Sequence, residues 1–201
     1  MKTRPLFILI VMLTLGMVSG CALTQEAKKA PLRWSGQDTA VYDEEFEFTP
    51  PPPAWNLVQV ESGGEFGFGF VKMDPGASPS QSMFVYDEEP FGCATNIGDR
   101  EKEFFRRVLW NAMISFQVLE RKSFKLQNGE GLAVTVEGKD PMTKEKARAE
   151  VIFGKRGDRV VSWYITQWRQ IDGTYDPTAF ETFEKFAASF KYLKKSFYET
   201  L

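Results

Sequence analysis

The chain has 201 residues, of which 43% are hydrophobic and 26% charged, with a formal net charge of -2, two cysteines and no histidine. Without imidazole, Ser-His-Asp and Cys-His catalysis and the usual zinc sites are excluded. There is no basic stripe or polybasic segment for nucleic acid or anionic lipid.

Residues 1–20 have the layout of a secretory signal peptide: Lys2 and Arg4, then the apolar run "PLFILIVMLTLGMV", then Ser19 and Gly20. The run is shorter than the ~20 residues a spanning helix needs. Val18, Ser19, Gly20 and Cys21 resemble the lipobox of bacterial lipoproteins, in which a small residue precedes an invariant cysteine. The resemblance implies cleavage before Cys21, a diacylglyceryl group on its sulfur, acylation of its new amino terminus and a partner in the membrane. Residue 22 is Ala rather than the Asp that retains lipoproteins in the inner membrane of enteric bacteria, so the expected location is the outer membrane, facing the periplasm.

Residues 21–53 read as a lipid-anchored tether. "ALTQEAKKAPLRWSGQDTAVYDEEFEFTPPPP" mixes charge and small residues and ends in a proline run, a composition that stays extended or coiled. The proline run has the alternative reading of a ligand for a polyproline-binding module, although it lacks flanking basic residues.

Residues 54–201 read as one α+β domain. "WNLVQVE" and "EFGFGFVK" are strands separated by Ser62, Gly63 and Gly64, a hairpin signal. Phe66, Phe68 and Phe70 share one face and Gly67 and Gly69 the other, which predicts a helix laid across the glycines. "QSMFVYDE" is a third strand. A helix follows from an N-cap at Asp99 to about Arg121, with Phe104, Val108, Leu109, Ala112, Met113, Phe116 and Leu119 at helical spacing and Trp110 in the core. Three alternating strands come next, "GLAVTVEG", "KARAEVIFG" and "RVVSWYITQW", with turns at Asn128-Gly129 and Gly157-Asp158. One face of this antiparallel sheet is expected to be the more deeply buried. The last helix begins at Asp176-Pro177, carries Phe180, Phe183, Phe186, Ala187, Phe190 and Leu193, and ends among Lys191, Lys194 and Lys195.

"AEVIFGKRGDRVVSWYITQW" followed by "FETFEKFAASFKY" resembles the Mog1/PsbP-like superfamily, which includes periplasmic DcrB-type lipoproteins. The resemblance implies an α/β/α sandwich and accessory or binding roles, and brings no catalytic residues.

Few side chains suggest chemistry. Cys93 in "FGCATN" reads as a buried, inert thiol. "VYDEE" occurs at 41–45 and 85–89, but Asp87, Glu88 and Glu89 lack the spacing of a calcium loop, so no metal and no cofactor is expected. Trp163, Tyr164, Trp168 and Arg169 form the densest aromatic group. Strand alternation sends Trp163 into the core and leaves Tyr164, Trp168 and Arg169 as the candidate binding surface. These features favour a non-enzymatic envelope domain with a protein partner and no nucleic acid. The alternative is a ligand-binding or enzymatic domain with a pocket between helix and sheet, or a nucleophilic thiol at Cys93.

Overall fold

The computed structural model describes residues 32–42, 44–62, 65–73, 79–86, 95–157, 159–169 and 174–194. Residues 1–20, expected as a signal peptide, Cys21, the three carboxylates at 87–89 and Cys93 lie outside the described residues.

The strands are β1 (Leu32–Trp34), β2 (Ala40–Tyr42), β3 (Phe46–Phe48), β4 (Trp55–Ser62), β5 (Glu65–Met73), β6 (Pro79–Tyr86), β7 (Ile114–Leu126), β8 (Gly129–Lys139), β9 (Lys146–Arg156), β10 (Arg159–Arg169) and β11 (Lys191–Tyr192). The helices are α1, made of the consecutive segments Ile97–Phe104, Phe105–Leu109 and Trp110–Ala112 between β6 and β7, and α2 (Pro177–Ala188). One seven-stranded antiparallel sheet has the order β4-β5-β6-β10-β9-β8-β7, and a smaller one the order β1-β2-β3-β11. Two meanders thus meet where β6 pairs with β10, Trp163 lying opposite Val85.

Both faces of the large sheet are covered. On the first, Phe68, Phe70, Met83, Ile152, Trp163 and Ile165 pack with the small sheet and α2. On the second, Val134, Val136, Val151, Phe153 and Tyr164 pack with Phe104, Leu109 and Met113 of the α1 region. The expectation of one deeply buried face therefore fails in the centre, where β9 and β10 are buried on both sides because layers lie above and below them. The result is a three-layer α+β sandwich.

The first face is joined by aromatic rings. Tyr42 stacks on Phe68 at 4.0 Å, Phe48 on Phe190 at 4.9 Å, and Trp163 meets Phe190 edge-on at 5.4 Å. Such pairs add about 0.5–1.5 kcal/mol each beyond the area they bury. They also explain why the folded unit begins earlier than its composition suggests. Residues 32–53, expected as tether, instead supply β1 to β3, and Ala40, Tyr42, Phe46 and Phe48 are buried. Arg156 locks this sheet down: buried itself, it lies over the rings of Phe46 and Tyr192 and donates to the Lys194 carbonyl.

The helix expected from Asp99 to Arg121 is shorter. Its N-cap is Asn96, whose side chain accepts from the Asp99 amide, and the helix is α over Ile97–Phe104, π over Phe105–Leu109 and α again over Trp110–Ala112. The wider π turn brings Leu109 onto the buried side five residues after Phe104 and turns Trp110 outward, 72% exposed, against the expectation of a core side chain. Met113 is extended and the chain continues as β7, paired with β8. Register shifts at Ile114/Gln117 and Val118/Glu120 interrupt the alternation of β7, so that Phe116 and Leu119 imitate helical spacing.

Gly69 is faced by a strand neighbour instead of the expected helix. It pairs with Phe84 of β6, and a Cβ there would overlap the Phe84 ring and the Met83 carbonyl. The final helix also stops sooner than expected. Asp176 caps it with Pro177 in the first turn, but it ends at Ala188. The Ser189 hydroxyl donates to the Phe186 carbonyl and accepts from the Thr49 amide, Phe190 enters the core, and β11 pairs with β3.

Candidate functional site, a groove between two tryptophans

The aromatic group on β10 does not form a surface. Trp163 is in the core as expected. Tyr164 is only 4% exposed, its ring packed edge-on against Phe104 beneath α1, so it is removed from the candidate surface. Trp168 is half-buried and its indole N–H donates to Asp140 Oδ2 at 3.1 Å. The Arg169 side chain lies outside the described residues. Burial pushes the Asp140 carboxyl up, but donors from Thr143, Met142 and Trp168 outweigh it and hold the group below its ordinary value. This corner is an interlocked turn at the end of β8.

An open cavity lies elsewhere, at the edge where the described chain begins. A groove of about 520 Å³ is lined by Leu32, Trp34, Gln37, Asp38, the run Thr49–Pro53, Trp55, Leu57 and Phe70. Two turns build its sides. The β1–β2 hairpin closes with Ser35 N–H donating to the Thr39 carbonyl, leaving Gln37 and Asp38 in the loop. Across the groove, the proline run ends in a turn in which the Trp55 amide donates to the Pro52 carbonyl at 2.9 Å. Proline presets an extended backbone and brings no amide to satisfy, so the run makes a stiff apolar wall.

The floor is set by strand register. Leu57 lies opposite Phe70 and Trp55 opposite Lys72, so Trp55, Leu57 and Phe70 all belong to the first face of the large sheet. Trp55 is 8% exposed and forms part of the base, whereas Trp34 is 63% exposed and stands at the rim.

From Trp55 a row of directly paired residues crosses the sheet: Lys72, Gln81, Gln167, Arg148 and Glu137. This row seats the amino end of α2. Gln81 Nε2 donates to Asp176 Oδ2, Gln167 Nε2 to the Asp176 carbonyl, and Lys72 Nζ stands 3.6 Å from Asp176 Oδ2. The Thr178 hydroxyl donates to the same carboxylate and, with Gln81 and the Lys72 charge, holds it below its ordinary value against the effect of burial. The base of the groove and the seat of α2 are thus one line of the sheet.

In the adjacent row Leu57, Phe70, Met83 and Ile165 give way to Glu150. Burial, then the facing Glu184 of α2, pushes the Glu150 carboxyl up to about 7, against the pull of Lys122. Lys122 Nζ stands 2.7 Å from Glu184 Oε1, and that bond raises the lysine. The arrangement contributes to how α2 sits on the sheet and lies on the side of Ile165 away from the groove.

The groove escaped the sequence reading because its parts come from three separate segments. Its one local signal is that Trp34 and Trp55 bracket the proline run, which composition alone assigns to a spacer. Among the described residues no group of three or more His, Cys, Asp or Glu is placed to hold a metal ion, and no helix is long and apolar enough to cross a membrane.

No protein-family model matches the chain, and no curated protein matches it either. Solved structures do. The Ran-binding protein Mog1p of Saccharomyces cerevisiae superposes with a TM-score of 0.53 at 11% identity, over 74% of this chain and 90% of that one. Cyanobacterial PsbP (CyanoP) of Synechocystis sp. PCC 6803 matches with a TM-score of 0.42 at 18% identity, over 83% of this chain and 95% of that one. PA94 of Pseudomonas aeruginosa matches with a TM-score of 0.34 at 12% identity, over 60% and 76%. The Mog1p superposition, with the three-layer topology above, gives this chain a Mog1/PsbP-like fold.

Proposed function

We propose that this chain is a bacterial lipoprotein of the cell envelope, anchored through lipid on Cys21, whose domain binds a protein partner without catalysing a reaction. The observation that carries the binding role is the groove of about 520 Å³ between Trp34 and Trp55, an open apolar cleft on a stiff frame. Mog1p, which has this fold, is a Ran-binding protein, so the fold has a protein-binding use elsewhere.

The anchor is supported by Lys2 and Arg4, the apolar run and the Val18–Cys21 lipobox. Each buried methylene adds ~0.8 kcal/mol, so two or three acyl chains hold the domain at a bilayer. Residues 22–31 then join the anchored cysteine to the domain. Ala22 favours the outer membrane, with the domain facing the periplasm.

Two experiments test the reading. Mass spectrometry of the amino terminus should find Cys21 first, carrying diacylglycerol and an N-acyl chain; an unmodified Cys21 overturns the anchor. A photo-cross-linking residue substituted at Trp34 should capture a reproducible envelope protein in cells, and Trp55→Ala should abolish capture; a domain that stays alone refutes the binding role.

A further inference from the structure

We propose that the groove receives an extended, proline-containing peptide segment bearing a basic residue, an assignment that rests on the groove being the partner-binding site. Its lining and its charge together select this occupant. Trp34 at the rim and Pro50–Pro53 across from it flank a floor of Trp55, Leu57 and Phe70. A polyproline II segment fits such a surface at low entropic cost, because it is already extended and its pyrrolidine rings pack against the exposed Trp34 ring and the apolar floor. Its backbone carbonyls carry no internal hydrogen bonds, so they need donors. Gln37 and Thr49 supply these beside the apolar walls.

Charge sets the orientation. Asp38 is the one charged side chain among the described lining residues, and it is exposed on the β1–β2 loop at the rim. A carboxylate there attracts an arginine or lysine on the ligand and rejects an acidic one, which gives specificity more than affinity. A neutral glycan offers no cation for this charge.

The test uses the full chain in phosphatidylcholine nanodiscs, labelled with fluorotryptophan and followed by fluorine NMR. The probe is the capped peptide Arg-Pro-Leu-Pro-Pro-Leu-Pro, with an Asp-for-Arg version and a scrambled, proline-free version as controls. The Arg peptide should shift the Trp34 and Trp55 signals in a saturable way and leave that of Trp163, which is 1% exposed, unchanged. Trp34→Ala should weaken binding about tenfold, as expected for an aromatic anchor. Asp38→Lys should weaken the Arg peptide roughly fivefold and favour the Asp peptide, the size of an exposed charge pair. Both positions are exposed, so the variants should melt with the wild type. The proposal is overturned if the scrambled peptide binds equally well, or if millimolar Arg peptide moves neither signal. It is overturned equally if the signals answer only to a change of disc lipid to phosphatidylglycerol, or only to added oligosaccharide. If the peptide fails while a cross-linker at position 34 still captures an envelope protein, the peptide assignment falls and the groove remains the binding site; if both fail, the binding role falls with it.

Discussion

Replacing Glu150 with glutamine should make the domain more stable at pH 8 and leave it unchanged near pH 4.5. In the folded chain this carboxyl is 4% exposed, beneath α2 and facing Glu184, and is raised from an ordinary 4.5 to about 7. Between those values the unfolded chain has released the proton and the folded chain has kept it, so stability falls as pH rises through the window and is level above it. At ~1.36 kcal/mol per unit, the folded state bears about 3 kcal/mol once Glu150 is fully ionised. The amide of Glu150→Gln is neutral at every pH and retains a donor for Glu184, so the variant escapes that cost. For a domain of this size the gain corresponds to about 6–12 °C in melting temperature at pH 8. The assay is thermal unfolding of wild type and variant, by circular dichroism, at half-unit steps from pH 4.5 to 8. Curves that stay parallel throughout would refute the assignment of a raised, buried carboxyl, as would a variant that loses stability at high pH.

Three further outcomes follow from named contacts. Gly69→Ala should destabilise by about 1–3 kcal/mol, read by urea unfolding, because its Cβ would overlap the Met83 carbonyl, which cannot swing away, as well as the Phe84 ring. Phe190→Ala should cost about 3–5 kcal/mol in the same assay, since its ring stacks on Phe48 and meets Phe186 and Trp163 in the layer that holds both sheets together. Asp176→Ala should cost about 1–2 kcal/mol at neutral pH, the value of an N-cap tied also to Gln81 and Lys72. Because that carboxyl is held below its ordinary 3.8, its contribution is present above that pH and fades as the folded group is protonated below it. Unfolding at pH 7 and pH 2 should therefore show the difference between wild type and variant shrinking.

The sequence by itself determined every element whose signal is local. β8, β9 and β10 alternate cleanly, their hairpins close at Gly129 and Gly157, both with positive φ, and α2 opens with an aspartate cap and a proline. Each of these is readable because backbone preference and side-chain pattern agree within a short window.

Tertiary structure decided the rest, because the deciding partners are distant in the chain. β1 to β3 are only three residues each and would not persist alone; β11, more than 140 residues later, and the rings of Phe68 and Phe190 hold them. β7 reads as helix until its pairing with β8 is known, since bulges disturb its alternation. Tyr164 points away from Trp163, as alternation requires, yet the face it reaches is covered by α1 and not by water. The groove belongs to this class as well. Trp34, the proline run and Phe70 become neighbours only when the small sheet is laid over the first face, so its shape is a property of packing between segments that no single stretch contains.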